Sequence, residues 1–242
     1  MQPLLDEIIE LSTDLLNNQN IWVSSNAALV LARISIEDVG CEKLLNHALA
    51  RKILNELINS LGNDNAGRGM NCAFAIGRLC DNELGRMTIL KIANIKKLIE
   101  SLSSMIEKNL DNGCTKNSCF ALSCLSANSK AYEIIVEHAC FIGLLNALCN
   151  LLVQVKDVET QWFAAMLLRI FSSKPSGCLK MKTLGIIWKT LNELLNNKDL
   201  YNDVREEIES TIDILKPVDK PQTLRATGSF FSNTSSFSEP YY

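Results

Sequence analysis

The sequence predicts an all-α protein: a right-handed α-solenoid of about four three-helix repeats preceded by a partial one. Three observations carry that prediction. Aromatic residues make up only 6 % of the 242 residues, and just five Pro and eleven Gly interrupt a chain rich in Leu, Ile and Asn, a composition that favours helix. One segment returns four times without gaps, as Asn26-Ala-Ala-Leu-Val-Leu-Ala-Arg-Ile34, Asn71-Cys-Ala-Phe-Ala-Ile-Gly-Arg-Leu79, Asn117-Ser-Cys-Phe-Ala-Leu-Ser-Cys-Leu125 and Trp162-Phe-Ala-Ala-Met-Leu-Leu-Arg-Ile170, with starts 45, 46 and 45 residues apart. Between the copies a second apolar block keeps the same register: Leu54, Leu57 and Leu61, then Ile99, Leu102 and Ile106, then Leu145, Leu148 and Leu152. A fixed period of this length marks stacked helical units.

The elements follow in order. Leu5, Ile8, Ile9, Leu15 and Leu16 read as the second helix of a partial repeat, and Asn20 to Ser35 as its third. The chain is therefore expected to begin inside a repeat, either with this helix as a cap or as a piece of a longer product. Each full unit then opens with a short element near Gly40, Gly85, Lys130 or Gly177, followed by the second block, looser in the last unit at Ile187, Leu191 and Leu195. Spacings of three and four place the large apolar side chains on one helix face, and Ala28, Ala73, Ala75 and Ala121 allow close approach. Polar links such as Gly62 to Asn65 and Asp111-Asn-Gly113 are expected to break the helices. Val204 to Leu215 repeats the third-helix pattern weakly, and Glu206, Glu207, Glu209 and Asp213 suit a polar C-terminal cap. Residues 1–216 form the predicted repeat domain. The remainder, 217–242, with Pro217, Pro221, Pro240 and a run of Ser and Thr, has no apolar period and is expected to be a disordered tail, unstructured or carrying a docking motif at Phe230, Phe231, Phe237, Tyr241 and Tyr242.

The segment Ala73-Phe-Ala-Ile-Gly-Arg-Leu79 and its counterparts, preceded by a block like Leu54 to Leu61, resemble the third and second helices of an armadillo repeat, over roughly residues 4 to 215. The resemblance implies a scaffold that binds protein segments along a concave groove of third helices. In armadillo proteins of the importin-alpha kind that helix carries a Trp and, four residues on, an Asn that grips the backbone of a basic ligand. Here the Trp places are held by Leu29, Phe74, Phe120 and Ala165, and the Asn places by Arg33, Arg78, Cys124 and Arg169. A groove that presents guanidinium groups repels a basic peptide.

Composition narrows the function classes. Twenty-four Lys and Arg against 27 Asp and Glu leave a net charge of −3, so no global positive field draws the chain to nucleic acid or an anionic membrane. No apolar stretch approaches the length of a membrane span, and Asp6, Glu7 and Glu10 stand where a secretory signal needs a basic start. Nine Cys with no C-x-x-C pair and only two His read as buried thiols, not a zinc site or a disulfide framework, and imply a reducing compartment, the cytoplasm or the nucleus. No cofactor is indicated. The G-x-S-x-G, G-x-x-x-x-G-K-[ST] and H-E-x-x-H patterns are missing, Gly67-Arg68-Gly69 reads as turn chemistry, and Cys140 near His138 lacks a third, activating group in the sequence. An enzyme is not expected.

The expected function is protein recruitment. Arg33, Arg78 and Arg169, with Arg68 at the mouth of the second unit, would form a cationic row spaced by one repeat, roughly 10 Å, suited to carboxylate or phosphate groups. Phe74 and Phe120 would be apolar platforms between them. The partner expected is an extended acidic or phosphorylated protein segment. Two alternatives stand beside it: each Arg pairs with an acid of the neighbouring repeat or is simply solvated, with Phe74 and Phe120 as core residues, or the chain is a structural subunit assembling through its ends or convex face into a larger assembly.

Overall fold

A computed structural model describes residues 2–216, apart from Asn63 and Asn65 in one loop. The segment 217–242, expected from sequence to be a disordered tail, lies outside the described residues. Among the described residues there are fourteen α-helices and no strand. They run in the order α1 (Gln2–Leu15), α2 (Ile21–Ile34), α3 (Asp38–Asn46), α4 (Ala50–Asn59), α5 (Arg68–Cys80), α6 (Glu83–Ile92), α7 (Ile95–Lys108), α8 (Asn112–Ser126), α9 (Ser129–Glu137), α10 (Phe141–Gln154), α11 (Val158–Ser172), α12 (Pro175–Thr183), α13 (Gly185–Leu195) and α14 (Asn202–Leu215). No single one of them is long and apolar enough to cross a membrane.

The helices stack as the period predicts. Third helices pack side by side in the order α2, α5, α8, α11 and α14, and second helices form a parallel row of α1, α4, α7, α10 and α13. The chain is thus an all-α solenoid of four three-helix units, α3–α5, α6–α8, α9–α11 and α12–α14, preceded by the pair α1–α2. Its core runs unbroken from Ile9 to Leu215 between the two rows, because a nine- to fifteen-residue helix buries its stripe only against neighbours.

Local chemistry sets the helix starts. Asn20, Asn82, Asn94, Asp111, Asn128 and Asp157 each accept a hydrogen bond from a backbone N–H of the first turn, satisfying groups the helix leaves open. Asn112 and Gly113, read from sequence as part of a link, belong to the first turn of α8, since Asp111 caps Cys114 N at 2.7 Å. Asp111→Ala is expected to cost about 1 kcal/mol, measured as a lower urea midpoint at unchanged helical signal.

Candidate functional site: the face of the third helices

The register of the units decides which side chains share a row. At the start of each first helix a β-carbon on Gly40, Gly85 or Gly177 would meet the carbonyl oxygen of Ile34, Leu79 or Phe171, at 2.0, 1.5 and 2.1 Å. The counterpart of Ile34 and Leu79 is therefore Phe171, not Ile170. The fourth copy begins at Phe163 and not at Trp162, and the period is 45, 46 and 46 residues. Burial agrees with the shift: Ala28, Ala73, Cys119 and Ala165 form one buried row. Ala131, not Lys130, holds the glycine place of the third unit.

This moves the site. The positions expected to carry aromatic platforms are Leu29, Phe74, Phe120 and Met166, and the charged positions are Arg33, Arg78, Cys124 and Ile170. Arg169 stands one residue off the row, at the place of Ala32, Gly77 and Ser123. It faces α14, where its guanidinium binds the Glu207 carboxylate.

The structure gathers aromatic side chains more closely than the sequence reading implied. Phe74 and Phe120 lie 6.3 Å apart between centroids, Phe120 and Phe163 5.9 Å, and Phe163 and Trp162 4.9 Å, the last two contacts edge-on. Gly77 makes room for this row, because a β-carbon there would come within 2.4 Å of the Phe120 ring. All four rings are partly exposed, and Leu29 extends the strip onto α2. Sequence reasoning missed Phe163. The glycine spacing that fixes the last unit was the signal that could have found it.

The arginines are mostly engaged within the chain. Arg78 donates from Nη1 to Asp81 Oδ2 at 2.8 Å and from Nη2 to the carbonyl of Ile36, also at 2.8 Å, which ties α5 back to the turn after α2. Arg68 lies beside Asp64, with 3.8 Å between Nε and Oδ2. Arg33 is exposed, on the last turn of α2. Beside this end of the row, burial pushes the Cys124 thiol up to about 12, with Asp81 adding to the shift, so it is a neutral thiol at physiological pH.

The glycine loop before α5 is closed to anions. Asp64 accepts from the backbone N–H groups of Ala66, Arg68 and Gly69 at 3.0, 3.0 and 3.1 Å, so a carboxylate of the chain occupies the place where a phosphate would bind a helix N-terminus. Gly67 itself takes φ 73°, in the left-handed region, which a glycine adopts without strain.

The thiol and imidazole noted in the sequence do meet. Nδ1 of His138 lies 3.1 Å from Cys140 Sγ, and Nε2 lies 3.4 Å from a Glu100 carboxylate oxygen, a third group that the sequence did not reveal. The arrangement has an internal control. His47, the counterpart of His138, accepts a backbone N–H from Leu49 at 3.1 Å and faces Asp6 with Nε2 at 3.4 Å, and Leu49 holds the place of Cys140. Both imidazoles tie a turn to the second helix of the preceding unit, one of them with no sulfur present. Burial raises the Cys140 thiol above its ordinary range, the reverse of what activates a nucleophile.

No known sequence family matches the chain, and no curated protein does. Solved structures do match its shape. An engineered protein from the Northeast Structural Genomics Consortium superposes with a TM-score of 0.69 at 21 % identity, over 86 % of this chain and 48 % of that one. A computationally designed armadillo repeat protein for modular peptide recognition matches with a TM-score of 0.68 at 16 % identity, over 89 % and 93 % of the two chains. The fold is armadillo-like. A further designed armadillo repeat protein, in complex with the peptide (KR)4, matches at 0.58 and 13 % identity, over 88 % and 99 % of the two chains. In this armadillo-like stack α5, α8 and α11 place the aromatic row along one face, with Leu29 and Arg33 on α2 and Arg78 on α5 at the end nearer the N-terminus.

Proposed function

We propose that the chain is a non-catalytic scaffold that binds an extended protein segment along its third helices. The observation that carries this reading is the continuous row Phe74, Phe120 and Phe163, at centroid spacings of 6.3 and 5.9 Å. Partly exposed rings in a row across three stacked units offer apolar seats for side chains of a strand-like ligand, and such rings dominate binding energies where they are central. Arg33 and Arg78 add positive charge at one end. Arg78 keeps N–H donors beyond those bound to Asp81 and Ile36, which favours a ligand with an acidic or phosphorylated group at that end over a basic one. Arg68 and Arg169, each beside its own carboxylate, are left out of the proposed contact set.

Selection of segments from a random peptide library against the folded chain tests the reading. Selected peptides are expected to combine apolar residues with an acidic group and to lose about tenfold or more in affinity on Phe120→Ala. Arg33→Glu with Arg78→Glu should weaken acidic peptides and leave neutral ones unchanged. Peptides that bind the Phe120→Ala variant as tightly as the parent would place the function elsewhere on the molecule.

A further inference from the structure

A cleft of about 430 Å³ lies in the row of second helices, between α7 and α10. Glu107 and Lys108 border it on α7, and Gly143, Asn146, Asn150 and Gln154 on α10. The repeat register shows why it is open. Lys52 on α4 and Lys97 on α7 hold one equivalent place, and each reaches back to the helix before it. The Lys52 ammonium donates to Asp14 on α1, and that of Lys97 to Asn59 on α4, both at 2.6 Å. The same place on α10 is Gly143, and the acceptor place on α7 is Ser104. One turn beyond Ser104, the Glu107 carboxylate folds over the glycine, with Oε1 2.6 Å from where a β-carbon on Gly143 would stand. In the fourth unit, aligned through its buried Ile187 and Leu191 with Leu144 and Leu148, Ile186 takes that place. The lysine bridge therefore belongs to the first two joints and stops at α10.

The groups around Gly143 suit the ammonium that the chain does not supply. Glu107 is exposed and forms no ion pair among the described residues. Asn146, Asn150 and Gln154 are exposed as well, and their side-chain amides make no hydrogen bond among the described residues, whereas Asn192 and Asn196 on α13 and at its end donate back to carbonyls of their own helix. An ammonium carries three donors on a flexible stem, and its bond to a carboxylate is charge-assisted. The amides extend the match to a main chain. Side chains four apart on α10 are about 6 Å apart along the helix axis, close to the roughly 6.7 Å between alternate residues of an extended strand, and each amide can both donate to a peptide carbonyl and accept from a peptide N–H. Lys108 on the same rim disfavours a segment with adjacent basic residues.

We propose that the cleft between α7 and α10 binds an extended protein segment through a single lysine, whose ammonium sits against Glu107 in place of the repeat's own lysine while Asn146, Asn150 and Gln154 hold the main chain. The site is separate from the aromatic row and does not rest on it.

Binding of end-capped nonapeptides, with a central lysine and randomised neutral or acidic flanks, to the whole chain tests the proposal. Retained peptides are expected to lose about tenfold or more in affinity when their lysine becomes glutamine, or when the chain carries Glu107→Gln, and to be indifferent to Phe120→Ala. Gly143→Lys supplies the lysine from within and should abolish binding at an unchanged or higher melting temperature, since Gly143 lies inside α10 without a left-handed φ and glycine is the poorer helix former. Retention of no peptide, retained peptides that ignore Glu107→Gln or Gly143→Lys, or cadaverine, an amine with no main chain, binding as tightly as the peptides would each overturn the proposal. Peptides lost with Phe120→Ala would belong to the third helices and count against it equally.

Discussion

Phe171→Ala is expected to destabilise the protein by about 3–5 kcal/mol, the range for removing a fully buried aromatic side chain. Phe171 has no exposure, and its ring packs edge-on against Phe141 at 5.0 Å and against Tyr132 at 6.2 Å. The hydroxyl of Tyr132 donates to the Phe171 carbonyl at 2.7 Å. That bond survives the substitution, so the loss belongs to the rings. Because each unit touches only its neighbours, a cavity in the third unit weakens the link between the two halves more than either half. Urea unfolding should therefore show a lower midpoint and a broader or two-step transition, where the parent unfolds more cooperatively. A midpoint within error of the parent would contradict the packing described.

Gly85→Val is expected to be as severe for a different reason. A β-carbon on Gly85 would sit 1.5 Å from the Leu79 carbonyl oxygen, a backbone atom that cannot rotate away, so α5 and α6 must separate. The cost is about 3 kcal/mol or more. The clash is made by the β-carbon itself, so Gly85→Ala is expected to lower the urea midpoint as well, even though the third unit carries Ala131 at the corresponding place. A Gly85→Ala midpoint within error of the parent would show that the close approach does not limit stability.

The stack was legible because a period of 45 or 46 residues forces equivalent side chains into equivalent places, and the apolar spacings name the buried face without any coordinates. The site was less legible. Ile170 and Phe171 are both large and apolar, so the pattern accepts either as the last position of the fourth copy. The six-residue spacing from Phe171 to Gly177, equal to those from Ile34 to Gly40 and from Leu79 to Gly85, fixes the choice, and the backbone contact that each spacing makes is its physical reason. That single residue of slip turned Arg169 from a partner of Glu207 into a supposed member of a groove. The pairings of Arg68 with Asp64 and of Arg78 with Asp81 were within reach of the sequence, at separations of four and three, but helical spacing alone does not say that a side chain will turn toward its neighbour and away from solvent. Glu100 beside His138 was out of reach, because their approach depends on how one unit sits on the next.

The asparagines at the head of the repeated segment have a mechanical consequence. Asn71 donates to the backbone carbonyl of Ser25 at 3.2 Å, and Asn117 to that of Met70 at 3.1 Å, so two successive joints are pinned by a directional bond whose length tolerates only small changes. At the next joint Phe163 takes the asparagine place and meets Phe120 through ring contact, with a Lys116–Glu159 ion pair at the surface. Neither fixes an offset as a hydrogen bond to the main chain does. The spring constant of the solenoid is therefore uneven along its length: stiff from α2 to α8 and softer between α8 and α11, where a change of curvature would open or tighten the spacing of the rings.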